Sequence, residues 1–201
     1  MAVINTVINL FNCQIKGCLF HYSQAILRNF NLILGKGNYK DKKLHQLVRR
    51  TALPFVQEEK VDEVWEEIMN EVDRNHPLIV QFLDYMTENW IEHRVFKKDT
   101  WNHYRNLKTR TTNHVEGFHN ALFVKAGEPH KNLFQFINLL KDQQEKFENK
   151  ILLLDGGAPP KKTEPKYKLL NITIENLTND YDNNLLSNLD FLDAISGVLS
   201  L

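Results

Sequence analysis

The sequence predicts a mainly α-helical protein with a small α/β portion near its N-terminus. Most of the 201 residues fall in stretches whose apolar residues recur every three or four positions, the spacing of an amphipathic helix. A single stretch, residues 14–21, has the short, apolar character of a buried strand. The chain is 42% hydrophobic, which is enough to bury a sizeable core and too much for a disordered protein.

Charge and composition exclude several classes of protein. The 25 basic residues balance the 25 acidic ones, so nucleic-acid binding would have to depend on local basic patches. The two cysteines, Cys13 and Cys18, are too few for a disulfide-rich scaffold. The first residues lack the basic start and cleavage signal of a secretory leader. No apolar run is long enough to span a bilayer, so we expect no membrane association.

The N-terminal elements follow the order helix, strand, helix, which is an α/β pattern. Residues 1–11 predict an amphipathic helix, residues 14–21 a buried strand, and residues 23–34 a second helix. A solitary strand leaves both rows of backbone donors and acceptors unpaired, which a buried core does not tolerate. The predicted strand therefore needs neighbours that this chain does not obviously contain.

Beyond Gly35 almost every segment predicts a helix. Helical periodicity recurs in residues 41–50, 58–73, 77–90, 113–124, 133–151, 167–177 and 185–199. Residues 97–110 are basic and predict a partly irregular segment. The stretch DGGAPPKKTEP, residues 155–165, has no periodicity and predicts a linker.

Cys18 and His21 form a C-x-x-H pair where the predicted strand meets the next helix. Thiolate and imidazole groups are good zinc ligands, and this spacing lets both reach one ion. A structural zinc site needs four ligands, and the remaining candidates are His114 and His119. The alternative, which the pair alone favours, is an ordinary buried cysteine followed by a histidine at a helix start.

Glu116 lies in the stretch TTNHVEGFHN and permits two interpretations. It could present a carboxylate to a divalent metal from the inward face of a helix. It could instead belong to a capping box, in which Asn113 caps the helix and Glu116 reaches back to the first turn. Spacing alone favours the cap, and one carboxylate cannot serve both roles equally well.

Basic and aromatic residues alternate between residues 97 and 110, and such a basic–aromatic run could contact phosphates while its rings stack or pack. The run consists of Lys97, Lys98, Trp101, Tyr104, Arg105, Lys108 and Arg110. A second basic cluster consists of Lys36, Lys40, Lys42, Lys43, Arg49 and Arg50. The alternative for the run is a solvated surface with Trp101 and Tyr104 in the core.

Four separate stretches resemble the transposase domain of Mutator-like elements. They are IKGCLFHYSQAILR at residues 15–28, LPFVQEEKVDEVWEEI at 53–68, TTNHVEGFHNAL at 111–122 and NLFQFINLLKDQQ at 132–144. The tail from PPKKTEPKYKLL to DFLDAISGVL is similar to the segment that closes many insect-type members of the family. The resemblance spans nearly the whole chain in order, which is more specific than any one motif.

This resemblance implies that the chain holds the back part of a ribonuclease-H-like transposase core, together with a helical insertion. In such enzymes three acidic residues hold two divalent ions, Mg²⁺ or Mn²⁺, which activate water and a DNA 3′-hydroxyl for attack on a phosphodiester. Glu116 matches the third of these acids. Cys18 and His21 match the family's C-x-x-H pair, which would brace the strand–helix junction.

The resemblance also predicts how the chain is organised. The core remnant would occupy residues 1–34, the helical insertion 35–110, the helices carrying the third acid 111–154, the linker 155–165 and a helical tail 166–201. We expect DNA, namely transposon ends, as the partner and the nucleus as the location. Self-association is a further expectation that the sequence leaves open.

One departure from the family pattern bears directly on activity. The first two acids of the family would precede or coincide with Met1, and the earliest aspartate here is Asp41, inside the predicted insertion. One carboxylate cannot hold two divalent cations, so we expect a transposase fragment that neither cuts nor joins DNA alone. The missing upstream strands would also pair with residues 14–21.

Two alternatives to a transposase fragment remain open. One is a non-catalytic module that binds DNA or a protein partner, and the other is a gene remnant without function.

Overall fold

The computed structural model describes residues 6–7, 10–13, 15–107, 109–127, 132–160, 162 and 164–199. Over these residues the chain is mainly helical, as the sequence predicts. The chain divides into two compact units, the first formed by residues 1–111 and 168–201, the second by residues 112–167. None of the helices in the described ranges is long and apolar enough to cross a membrane.

Nine segments are named here in chain order. They are α1 (Leu19–Ile33), α2 (Lys42–Arg50), α3 (Val61–Glu71), α4 (Pro77–Met86), α5 (Lys98–Trp101), α6 (Asn113–Ala126), α7 (Leu133–Asp155), α8 (Pro165–Asp182) and α9 (Asn188–Leu199). Short 3₁₀ helices lie at Lys36–Lys40, Leu53–Phe55 and Glu58–Lys60, and a π-helical turn at Thr87–Ile91 extends α4. Thr6, Val7, Leu10 and Phe11 are helical, and the rest of the predicted helix at residues 1–11 lies outside the described residues.

The strand predicted for residues 14–21 is wrong over the residues that the structure describes. Residues 15–18 have no regular secondary structure, Leu19 begins α1, and Gln14 lies outside the described part. The apolar residues that suggested a strand continue at helical spacing, so that Leu19, Tyr22 and Ile26 bury one face of α1. No strand occurs among the described residues, and the small α/β portion is absent from them as well.

The backbone of this segment finds its partners in α5 and in the loop that follows it. The Gly17 N–H donates to the carbonyl of Thr100 at 2.5 Å, and the Leu19 N–H donates to the carbonyl of Arg110 at 2.8 Å. A β-carbon at Gly17 would lie 3.3 Å from the Thr100 oxygen, so glycine suits this close approach. Buried backbone groups must be paired, and here loop contacts do what neighbouring strands would otherwise do.

Aromatic packing forms the centre of the first unit. The rings of Phe30 on α1 and Phe82 on α4 meet edge to face with centroids 5.5 Å apart, and both are fully buried. Tyr22 stacks on Trp101 at 5.5 Å and meets Trp90 edge to face at 4.5 Å. Such pairs contribute more than the area that they bury, and they fix how the two helices pack.

The last helix is held to α2 by a small polar cluster. Arg50 pairs with Asp193 at 3.1 Å and with Glu71 at 2.5 Å, while only 13% of the arginine side chain is exposed. Arg49 donates to the carbonyl of Asp193 at 2.6 Å and to the hydroxyl of Ser196 at 3.0 Å. Since these pairs are partly shielded from water, they orient α9 against the core as well as neutralising charge.

The second unit is built on α6 and α7. Asn132 and Gln135 form a capping box at the start of α7, with bonds of 3.0 and 3.2 Å between each side chain and the other residue's N–H. The rings of Phe118 and Phe147 lie 6.0 Å apart and join the two helices. Many other apolar side chains of this unit are exposed.

Replacing Phe82 by alanine should lower the free energy of unfolding by about 3–5 kcal/mol, because the cavity would lie at the centre of the first unit. The control is Phe20→Ala, whose parent ring is 50% exposed and which should cost less than about 1 kcal/mol. Urea unfolding followed by tryptophan fluorescence measures both, since Trp65, Trp90 and Trp101 all lie in the first unit. Equal destabilisation of the two variants would contradict this packing.

Candidate functional site

Glu116 lies in the first turn of α6 with its side chain exposed. The Thr112 carbonyl accepts the N–H groups of Val115 at 2.8 Å and Glu116 at 2.9 Å. The Thr112 hydroxyl donates to Oε1 of Glu116 at 2.9 Å, which orients the carboxylate toward the start of the helix. An exposed, oriented carboxylate has the right chemistry for a hard cation such as Mg²⁺ or Mn²⁺.

The capping-box interpretation of Glu116 is wrong. Thr112 occupies the N-cap position and Asn113 is the first helical residue, one position later than the capping box requires. Glu116 thus follows the cap by four residues instead of three. At that spacing its carboxylate meets the threonine hydroxyl, where a capping box would bring it to the backbone N–H of the cap.

The four candidate zinc ligands are divided between the two units. Cys18 is the half-buried N-cap residue of α1, and His21 is exposed with its ring 5.5 Å from that of Phe20. His114 and His119 are exposed residues of α6, in the second unit. Within the described ranges, no group of three or more histidine, cysteine, aspartate or glutamate side chains is placed to hold a metal ion.

These placements do not amount to a complete metal site. Zinc in a structural site takes four ligands, and the local pair of Cys18 and His21 supplies two. A two-metal centre needs several carboxylates, and Glu116 supplies one. The described residues therefore do not fit either group alone, and no reaction step can be derived through a metal held by this chain.

The lysines of the basic–aromatic run have different surroundings. Lys98 donates from Nζ to both carboxylate oxygens of Asp62 at 2.6 Å, which links α5 to α3. Lys97 is the exposed N-cap residue of α5. Lys108 lies outside the described residues. A cation that is already paired within the protein is less available to a phosphate, so Lys97 is the more accessible of the two described lysines.

Arg105 belongs to a cluster around Asp182, at the end of α8. Its guanidinium is paired with the Asp182 carboxylate, which also accepts the Tyr104 hydroxyl at 2.7 Å and the Gln57 amide at 3.1 Å. Burial tends to raise the pKa of Asp182, but these hydrogen bonds and the Arg105 charge outweigh it and lower that pKa. The cluster ties the loop to α8.

Arg110 and Trp101, the remaining members of the run, also form hydrogen bonds within the first unit. Arg110 donates to the carbonyl of Asn106 and to Oδ1 of Asn171, both at 2.9 Å. Trp101 is 1% exposed, and its Nε1 donates to the Trp90 carbonyl at 3.2 Å. The Trp101 ring is therefore part of the core, as the solvated-surface interpretation of the run predicts. A ring buried in this way cannot stack on a nucleic-acid base.

The second basic cluster separates into two parts. Arg49 and Arg50 are held against α9, as described above. The other four side chains, named here the lysine patch, are exposed on the 3₁₀ helix at Lys36–Lys40 and the first turn of α2. The lysine patch consists of Lys36, Lys40, Lys42 and Lys43. Its charges face water and are therefore better placed to attract an anionic ligand than the paired cations.

His103 is a buried polar residue that the sequence gives no reason to single out. Its side chain is 2% exposed, with Nε2 3.0 Å from the Gly17 carbonyl and Nδ1 3.0 Å from the Asn106 amide. These partners are satisfied by the neutral form with the proton on Nε2. Burial lowers the pKa of His103, the charges of Lys16 and Arg110 lower it further, and the bond to Gly17 opposes them.

We expect stability to fall as the pH drops below about 6.5, the ordinary histidine pKa, because the unfolded chain then takes up a proton that folded His103 resists. The decrease should level off below the folded pKa. His103→Gln keeps a donor and should flatten this part of the profile, whereas His21→Gln, at an exposed position, should not. Urea unfolding between pH 7 and pH 5 measures the effect; parallel profiles for His103→Gln and the parent chain would contradict it.

Comparison with known proteins adds no information about these residues. Protein-family models, curated proteins and solved structures give no match to the chain. Function must therefore be inferred from the residues of the chain and from their placement, chiefly the oriented carboxylate of Glu116 and the exposed lysine patch.

Proposed function

We propose that the chain is part of the catalytic region of a DDE-type transposase of the Mutator-like kind, with a ribonuclease-H-like core, and that Glu116 supplies its third carboxylate. The resemblance of the four segments supports this proposal. So does the largely helical first unit, since an extended helical insertion is what the resemblance implies between the C-x-x-H pair and the third acid.

The placement of Glu116 is the observation that carries the proposal. A metal-binding carboxylate must be accessible and must have a defined direction. Glu116 has both properties, since it is exposed at the start of α6 and its Oε1 accepts the Thr112 hydroxyl.

The same geometry explains why the chain by itself should be inactive. Two divalent ions, when bound, would stabilise the attacking and leaving oxygens of a phosphodiester, and several anionic ligands are needed to hold them. Glu116 is one ligand, and the part of the chain that the structure describes offers no three-residue metal cluster. The other two acids would have to come from a further part of the parent enzyme.

The purified chain should not cleave DNA with Mg²⁺ or Mn²⁺. Mixed with the N-terminal half of a Mutator-like transposase that carries the first two acids, it should nick DNA bearing a transposon end. Glu116→Gln should then lower the rate by about 10²–10³-fold. The control is Glu145→Gln, at an exposed position of α7, which should retain the rate. Cleavage by the chain alone that depends on Glu116, or a mixture indifferent to Glu116→Gln, would contradict the proposal.

A second candidate function is a non-catalytic module that binds DNA, and the lysine patch is the observation that favours it. Its four lysines are exposed within eight residues of sequence. By contrast, Lys98, Arg105 and Arg110 of the basic–aromatic run bond to other side chains of the first unit. Phosphate contacts by such lysines would be salt-dependent and would carry no sequence information.

A gel-shift titration at several salt concentrations tests this second candidate. The lysine-patch variant Lys36→Gln/Lys40→Gln/Lys42→Gln/Lys43→Gln should bind more weakly, with a salt slope reduced by about 0.9 for each phosphate that it no longer neutralises. The matched variant Lys97→Gln/Lys98→Gln/Arg105→Gln/Arg110→Gln also removes four charges and should bind nearly as well as the parent, because three of its four cations already bond to other residues of the first unit. Weaker binding by the matched variant than by the lysine-patch variant would assign DNA contact to the run instead.

A further inference from the structure

The helix α7 carries a continuous row of exposed side chains at the spacing of a coiled coil. Successive members are alternately four and three residues apart, so they occupy the two core positions of a heptad repeat. This α7 seam consists of Leu133, Ile137, Leu140, Gln144, Phe147, Ile151 and Leu154. It is about 32 Å long at 1.5 Å per residue.

The α7 seam is exposed over its whole length. The exposed fraction of its apolar members runs from 39% at Ile137 to 66% at Leu133. Phe147 contacts the ring of Phe118 on one side and is still 51% exposed. An exposed apolar row interrupted only by Gln144 is rare on the surface of a monomer and marks an interaction site.

The charges beside the seam suit a second copy of the same helix. In a parallel pair, Lys150 of one copy lies opposite Asp155 of the other, five residues further along, which gives one attractive pair on each side. In the same register Lys141 faces an apolar residue and Glu148 lies on the side of Gln143, which is buried within the chain itself, so no like charges meet. An antiparallel pair would instead join Lys141 to Glu148. Charge therefore favours self-pairing and allows either direction.

Gln144 decides the direction. It is the only polar residue among the seven members of the seam, and its amide donates to Glu148 at 2.7 Å. In a parallel pair Gln144 lies opposite the same residue of the second copy, where the two amides can hydrogen-bond with each other. In an antiparallel pair it would face Phe147, which offers no such partner. A single polar residue at this kind of position specifies register and oligomer state, and of the two arrangements only the parallel one pairs the Gln144 amides.

We propose that the chain associates with a second copy of itself through the α7 seam, as a parallel two-stranded coiled coil. This association involves only residues of α7, in the second unit. It does not depend on the proposed function, because no seam residue takes part in metal binding by Glu116. Leu140 lies near the middle of the seam and would be fully covered by the second copy. Leu152 is an exposed leucine of the same helix that lies off the seam.

Sedimentation equilibrium of the full chain tests the proposal. The parent chain should be a dimer, Leu140→Glu should raise the dimer dissociation constant by about tenfold or more, and Leu152→Glu should change it by less than about threefold. Circular dichroism checks that both variants keep the helical content of the parent. A monomeric parent chain, or equal weakening by the two substitutions, would overturn the proposal, since equal weakening indicates unspecific apolar contact.

Disulfide crosslinking tests the direction of the pair. In a chain carrying Cys13→Ser and Cys18→Ser, the further substitution Leu154→Cys should give an efficiently crosslinked dimer under mild oxidation, because the two cysteines face each other in the parallel arrangement. In an antiparallel pair they would be about 25 Å apart, beyond the reach of a disulfide. A dimer that does not crosslink at residue 154 would overturn the parallel arrangement.

Discussion

Burial of one face of α1 is the constraint on which the rest of the first unit depends. Once Tyr22 and Phe30 lie in the core, the segment before α1 runs beside Thr100 of α5 and Arg110 of the loop that follows α5. Its backbone groups need partners, and α5 and this loop provide them. His103 completes the arrangement by bonding to the Gly17 carbonyl. A neutral histidine inside the protein follows from this packing and needs no catalytic explanation.

The same constraint changes the role of the basic residues. Lys98 lies on α5 and Arg105 on the loop that follows it, and their carboxylate partners hold these segments to α3 and α8. Cations used in this way contribute to the position of the loop and are less available to a nucleic acid. The lysine patch carries a separate group of four exposed cations in the first unit.

The second unit has the opposite character. Phe118 and Phe147 join its two helices, but most of its apolar surface is exposed, in contrast to the first unit. Two features of this unit are directed outward, namely the oriented carboxylate of Glu116 and the α7 seam. In the roles proposed for them, the first would need further metal ligands and the second another helix.

Local pattern determined that the chain is mainly helical, because the spacing of apolar residues along a helix is a property of neighbouring residues. It could not determine the segment before α1, since a short apolar run suits a strand and a helix start equally well. It also left open whether Trp101 packs in the core and whether the cations of the basic–aromatic run are paired within the protein. Only the tertiary structure decided that, because the partners of Lys98 and Arg105 lie 36 and 77 residues away and meet them only when the helices pack.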